Sequence, residues 1–406
     1  MAYKIKQKIL YIHHTPFFRG AATSLSYLLK ELDRTRFTPI ILLTYEGEAR
    51  QAYEALGIDV YYLPLRQVWE APSPYWYNYK NKFLNWLAFL PNRKFADFLK
   101  TIKPDLIHIN DTCSLSAAIT AKQLGIPVVC HVRSVHRTIS LCSRKLIKSI
   151  YNNSDYLITI SEEYSEQFQE QDKITVVYNS LDFDKLDSAL KEKKNYRDEI
   201  GISKETILVG MVGTLTQHKG AWDFIKAIGE CVKKLPIDAP QIKFLIAGNI
   251  PLPRIHHKIR QITGKIGPRS ELEYAKYLAK KEGVYDDLII TGHRNDIYSI
   301  IDSMDVVVFP TRLDATGRPV FEGSYLGKPT IATVPNKRTR VLLDGETGFI
   351  TPPEDPEALA DAIIKLIVDP ELRNKMGKNG HLHAKQLFDP KENIKLIHEI
   401  YERICQ

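Results

Sequence analysis

Apolar runs of strand length recur along this chain, and segments of helix length separate them. The first half carries KILYIHH, TPIILLTYEG, DVYYLPL, PDLIHIND, PVVCHVRS, DYLITIS and KITVVYN. Most are rich in Ile, Val, Leu and Tyr, and several close on Asp, Ser, His, Asn or Gly. Uninterrupted apolar runs mark strands buried on both faces of a parallel sheet. Their alternation with helical stretches predicts a doubly wound α/β architecture. Residues 183–205, FDKLDSALKEKKNYRDEIGISKE, are charged and hold no apolar run. A second series then begins with TILVGMVGTL, IKFLIAGN, DLIITGH, DVVVFPT, KPTIAT and GFITPP. The pattern predicts one domain over 1–185 and a second over 186–385. The last stretch, 386–406, reads as an amphipathic helix with Ile394, Ile397, Ile400 and Tyr401 on one side. It is expected to pack back towards the first domain.

Two segments break the alternation. Residues 68–98 begin VWEAPSPYWYNYKNKF and are dense in aromatic and basic side chains. They suit a helical hairpin covering the first domain, a membrane interface, or a stacking surface for a sugar. Residues 251–281 form a long basic insertion between two strand runs.

A length of 406 residues exceeds one ordinary core and fits two. With 44% apolar and 26% charged residues, the composition is that of a soluble globular protein. The net charge of +8 suits either a solvated basic surface or attraction to anionic membranes, nucleic acid or phosphorylated substrates. Five scattered cysteines without CxxC spacing argue against a disulfide framework or a zinc site and suggest a reducing, cytoplasmic setting. MAYKIKQKILYIHH lacks the apolar core of a signal peptide. No window reaches the roughly 18 apolar residues of a membrane-spanning helix.

The most informative stretch is FPTRLDATGRPVFEGSYLGKPTIA, residues 309–332. A buried strand ends at Pro310, a polar loop follows, and Pro319 suits the first turn of a helix. The amides from Arg318 to Phe321 then lie at a helix start, which favours phosphate. Gly317 lets the backbone approach an anion closely. Glu322 falls one turn in, where a carboxylate accepts hydrogen bonds from paired ribose hydroxyls. Asp314 precedes the helix and reaches hydroxyls of a sugar held at the phosphate. A nucleotide diphosphate sugar satisfies all these groups together. Read alone, Asp314 and Glu322 are equally well acids placed near a helix N-terminus.

A second constellation is GMVGTLTQHKG, residues 210–220. Gly213 ends a strand, and Lys219 and Gly220 precede the helical AWDFIKAIGECV. Lys219 suits a phosphate, although an isolated lysine there is as well a solvated one. GMVG is a weak match to a dinucleotide fingerprint, with no acid at the ribose position.

These two segments, with LLDGETGFITPPED downstream, resemble the donor-site signature of the retaining GT-B glycosyltransferases of family 4 (glycosyl transferases group 1). The matching residues are Pro310, Thr311, Asp314, Glu322, Gly327-Lys328-Pro329, Asp344-Gly345, Gly348 and Pro352-Pro353. GTLTQHKG resembles the family's lysine loop, and DDLIITGHRNDI its nucleobase-side loop. PVVCHVRS resembles the strand that delivers an active-site histidine, while YLITISE and VVYNSLD resemble strands leading to the hinge. The resemblance implies two facing Rossmann-like domains with a cleft between them, the first binding acceptor and the second binding donor. It implies that Glu322 holds the donor ribose and that Asp314 lies near the transferred sugar. It places Gly213, Thr214, Lys219, Gly317, Arg318, Pro319, Val320 and Phe321 at the diphosphate, with Val320 and Phe321 as amide donors. His131 faces the sugar from the first domain, Arg294 borders the base, and Gly20 in RGAATS approaches diphosphate or acceptor.

The implied activity is retaining, metal-independent sugar transfer in polysaccharide, glycan or glycolipid synthesis. The donor is a UDP-sugar in the first place and a GDP-sugar in the second, with no cofactor. The acceptor is a glycan or a lipid-linked sugar, with peripheral contact at the inner membrane face and no nucleic acid. Three departures qualify this pattern: Asp314 stands where glutamate is usual, Thr214 where arginine is frequent, and RGAATS has one glycine and no acid. They leave open a catalytically silent sugar-nucleotide or glycan-binding subunit.

Overall fold

A computed structural model describes residues 6–18, 20–68, 86–134, 141–191, 196–251, 270–313, 316–335 and 339–405. The aromatic stretch 69–85 and the basic stretch 252–269 lie outside the described residues, as does Asp314. The chain divides into two compact units. Unit 1 comprises residues 1–181 and 388–406, and unit 2 comprises residues 182–387.

Unit 1 is built on a seven-stranded parallel sheet in the order β3-β2-β1-β4-β5-β6-β7. Its strands are β1 (Gln7–His13), β2 (Phe37–Leu43), β3 (Asp59–Tyr62), β4 (Leu106–Asn110), β5 (Val128–Val132), β6 (Tyr156–Thr159) and β7 (Ile174–Val176). Each coincides with one of the first seven apolar runs. β4 and β5 are buried at every position. That burial is why their sequences do not alternate. The core gathers Ile9, Leu25, Phe37 and Ile41 with Ile394, Ile397, Ile400 and Tyr401. These last four come from the terminal helix Pro390–Ile404, which Asp389 caps by accepting from the Lys391 amide at 2.8 Å.

Unit 2 carries a six-stranded parallel sheet in the order β10-β9-β8-β11-β12-β13. The strands are β8 (Ile207–Val212), β9 (Ile242–Ala247), β10 (Leu288–Gly292), β11 (Val306–Phe309), β12 (Thr330–Thr333) and β13 (Gly348–Thr351). They fall on the six runs of the second series. The charged segment after residue 182 is not a bare linker. It forms helices Phe183–Lys191 and Tyr196–Glu199, which bury Leu186 and Tyr196.

Both sheets reverse their winding direction beside a central strand. In unit 1 the switch falls between β1 and β4, which pair directly, Ile9 opposite Leu106. In unit 2 it falls between β8 and β11, Val306 opposite Val209. The crevice outside the carboxyl ends at such a switch is where doubly wound sheets bind ligands. In unit 2 the two loops that flank it are the lysine loop after β8 and the loop after β11. No helix among the described residues is long and apolar enough to cross a membrane.

Candidate active site

The unit 2 cluster begins where β8 ends. Gly213 donates its amide to the Ala247 carbonyl at 2.9 Å, and Thr214 follows half-buried. A short 3-10 turn, Gln217–Lys219, then leads into the helix Ala221–Lys234. Gly220 joins them with φ of 76°. Any Cβ there would overlap the Pro310 carbonyl, so the two loops touch backbone to backbone. Lys219 points its ammonium at the Phe309 ring, 5.8 Å from the centroid. Burial holds its pKa below the usual lysine value. Among the described residues the ammonium has no carboxylate partner.

The Phe309 ring also carries the other half of the cluster. The helix Arg318–Tyr325 starts at Gly317, whose missing side chain leaves room for that ring. Its first turn has no acidic residue and no side-chain cap. One aromatic ring therefore touches both the unpaired lysine and an uncapped helix N-terminus. A cation and the positive end of a helix dipole both favour an anion.

The structure corrects the assignment of Val320. Its amide donates to Gly317 O at 3.0 Å, closing the first turn. Pro319 has no N–H and adds no donor. The amides of Gly317 and Arg318 stand at the helix start.

Glu322 is 5% exposed and carries an unforeseen partner. Arg318 donates to its Oε1 from Nε at 2.9 Å, and its Nη2 lies 2.8 Å from the same oxygen. The four-residue spacing puts both side chains on one helix face. Oε2 accepts from none of the described residues. Arg294 is engaged too: its guanidinium bonds Asp296 and Glu199 and lies over the Tyr196 ring. Asp296 is the first cause raising its pKa. A side chain held this way offers a wall to a neighbouring ligand rather than a mobile charge.

In unit 1, Gly20 stands at the start of the helix Ala21–Lys30, beyond β1. His131 lies inside β5, one residue before its end. It is 3% exposed, and burial pushes its pKa well down. The residue that emerges at the carboxyl edge is Arg133. Its Nε donates to Asn110 Oδ1 at 2.6 Å, Nη1 donates to Asn179 Oδ1, and Nη2 lies 3.3 Å from His131 Nδ1. A guanidinium only donates, so His131 Nδ1 accepts and the ring proton sits on Nε2. Arg133, His131, Ser24, Asn179, Ser180 and Asn393 line a small cavity. Sequence reasoning passed over Arg133, although its place just beyond a buried strand was the available signal.

Comparison with known proteins adds to this picture. Residues 192–383 match the model for glycosyl transferases group 1, and residues 18–185 match that for glycosyltransferase family 4. The capsular polysaccharide biosynthesis glycosyltransferase CapM of Staphylococcus aureus is 26% identical over 243 residues, covering 57% of each chain. The Escherichia coli UDP-Gal:alpha-D-GlcNAc-diphosphoundecaprenol alpha-1,3-galactosyltransferase is 23% identical, over 75% of this chain and 76% of that one. The first relatives are thus matched over about three-fifths of their length, 57% and 61%. The Anabaena protein Alr3699/HepE, solved in complex with UDP, superposes with a TM-score of 0.74 at 20% identity, over 98% of this chain and all of that one. A Rickettsia africae glycosyltransferase gives 0.75 at 17% identity, covering 99% of each. Two Rossmann-like parallel-sheet domains with these neighbours define the GT-B class. Within it, the chain belongs to glycosyltransferase family 4, the glycosyl transferases group 1.

Proposed function

We propose that this chain moves a sugar from a nucleoside diphosphate sugar to an acceptor hydroxyl. The supporting observation is the convergence at the β8–β11 switch of Lys219, an uncapped helix start and the Phe309 ring. Bond breaking leaves growing negative charge on the diphosphate. Fixed positive groups aimed at that charge lower the barrier because they are already oriented. Lys219 and the Gly317–Arg318 helix start take this role, so the reading needs no metal. Glu322 accepts from the ribose through Oε2, while Arg318 holds Oε1 and orients the carboxylate. Arg294, fixed by its two acids, borders the base. Asp314 is assigned to the transferred sugar on the family resemblance alone.

The reaction is retaining in this reading, with the leaving phosphate taking the proton of the incoming hydroxyl. Residues 186–385 take the donor and 1–185 the acceptor, where Gly20, His131 and Arg133 lie at or near the sheet's carboxyl edge. Relatives named for capsule synthesis and for a diphosphoundecaprenol sugar favour a glycan or lipid-linked acceptor at the cytoplasmic face of the membrane. HepE, solved with UDP, favours uridine as the donor base, with guanosine second.

A thermal-shift series with UDP-, GDP- and ADP-sugars tests the reading. A bound donor at 100 times its Kd stabilises by about 2.7 kcal/mol. Glu322→Ala is expected to weaken that donor at least about tenfold, or about 1.4 kcal/mol. No stabilisation by any of the three, or unchanged affinity in a folded Glu322→Ala protein, overturns the site. Donor binding without transfer or donor hydrolysis would instead identify a silent binding subunit.

A further inference from the structure

We propose that Arg312 and Asp223 are a positioning pair for the donor diphosphate, a buried brace that fixes Lys219 against the loop entering the donor-side helix. The inference rests on the donor reading above.

Arg312 lies two residues beyond Pro310, in the loop after β11. Its Nε donates to Asp223 Oδ2 at 2.7 Å and its Nη2 to Oδ1 at 2.6 Å. The two residues are 89 positions apart in sequence. Their side chains are 17% and 5% exposed, so the pair is shielded from water and salt. The Arg312 amide also donates to the His218 carbonyl at 3.1 Å. Arg312 thus grips the lysine turn on both sides, by the carbonyl just before Lys219 and by a carboxylate four residues after it. An ion pair, Nη1 to Glu354 Oε1 at 3.2 Å, reaches the turn after β13 and is exposed on the glutamate side. The Thr333 hydroxyl holds the Thr311 carbonyl from β12, so the base of the brace is itself fixed.

These contacts set one distance. The lysine turn and the helix start both abut Phe309, and nothing else among the described side chains forms an ion pair across the two loops. A planar fork can hold both carboxylate oxygens at once, whereas an ammonium holds a point. Charge alone is therefore insufficient here, and geometry is what the pair supplies.

Truncating Arg312 would leave the Asp223 carboxylate buried and unpaired, so the test uses R312K, with D223N, which keeps one acceptor oxygen for the guanidinium, as the second variant. Each is titrated with whichever of UDP, GDP and ADP stabilises the wild-type protein, and with the matching monophosphate. The expected result is at least about a tenfold loss for the diphosphate in each variant, with a smaller loss for the monophosphate. The same R312K change made in a Lys219→Met protein is expected to add almost nothing, because the pair acts through Lys219. Equal diphosphate affinity in wild-type and variants overturns the pair's role while leaving the donor site standing. A full tenfold loss persisting in the Lys219→Met background also overturns it. Wild-type protein that binds no nucleoside diphosphate removes the donor site and this proposal together.

Discussion

Lys219 is a cation whose ammonium faces the Phe309 ring. It is half-buried, unpaired among the described residues, and held below its usual pKa by desolvation alone. Partial burial of an uncompensated charge opposes folding. Such a cost persists where a ligand supplies the missing countercharge. Lys219→Met keeps the stem's packing on Phe309 and deletes the charge. The ligand-free variant is expected to melt at or above the wild-type temperature, while nucleoside diphosphate binds at least about tenfold more weakly. The pair of measurements decides the matter, since a structural lysine would show a loss in the first and none in the second. Glu322 shows how far one residue can be read without a structure. Its four-residue spacing from Arg318 was present in the letters, and any helix brings that spacing onto one face. The Arg312–Asp223 pair was not legible, because only the adjacency of β8 and β11 brings those positions together.

At the level of elements, the central strands were readable because burial on both sheet faces forces continuous apolar runs. VVVF and LIHIN are examples. The helices after residue 182 were not readable as such, since among the residues of Phe183–Lys191 Leu186 alone is fully buried, and charged residues surround it. His131 was legible as part of the buried run VVCHV, which is β5. The terminal helix Pro390–Ile404 makes the strongest demand on the fold. Ile394, Ile397, Ile400 and Tyr401 fill the core beneath β1 and β2, and the Tyr401 hydroxyl bonds both His108 Nδ1 at 2.6 Å and the Tyr11 hydroxyl at 3.1 Å. Each buried isoleucine contributes about 1.5–3 kcal/mol, so the four residues together match the entire stability of an ordinary domain. A chain ending at Leu387 is therefore expected to keep a protease-resistant 182–387 fragment and lose unit 1 to digestion. Survival of both units in limited proteolysis would show that the helix is an accessory.

Across the whole molecule, acid is expected to act first on unit 1. His13 and His108 lie at the heart of its sheet, fully buried, and burial pulls each pKa down to about 3. His131 is shifted in the same direction, with Arg133 and His108 adding to the burial. Arg133 also lowers the other two, so one guanidinium helps keep three rings neutral. The unfolded chain returns each ring to about 6.5. Between that value and about 3 the unfolded state binds protons that the folded state refuses. Their contribution to stability is complete above pH 6.5 and is lost as pH falls through that window. The slope is about 1.4 kcal/mol per pH unit for each ring, so a drop of two units on two rings is comparable with the stability of a domain. Hydrogen exchange followed by peptide mass, corrected for the intrinsic pH dependence, reads this directly. Peptides of β1, β4 and β5 are expected to lose protection between pH 7 and pH 5, ahead of those from β8 and β11. If the unit 1 strands stay as protected at pH 4.5 as at neutrality, the rings are charged in the folded core, and the account of their neutrality by burial fails.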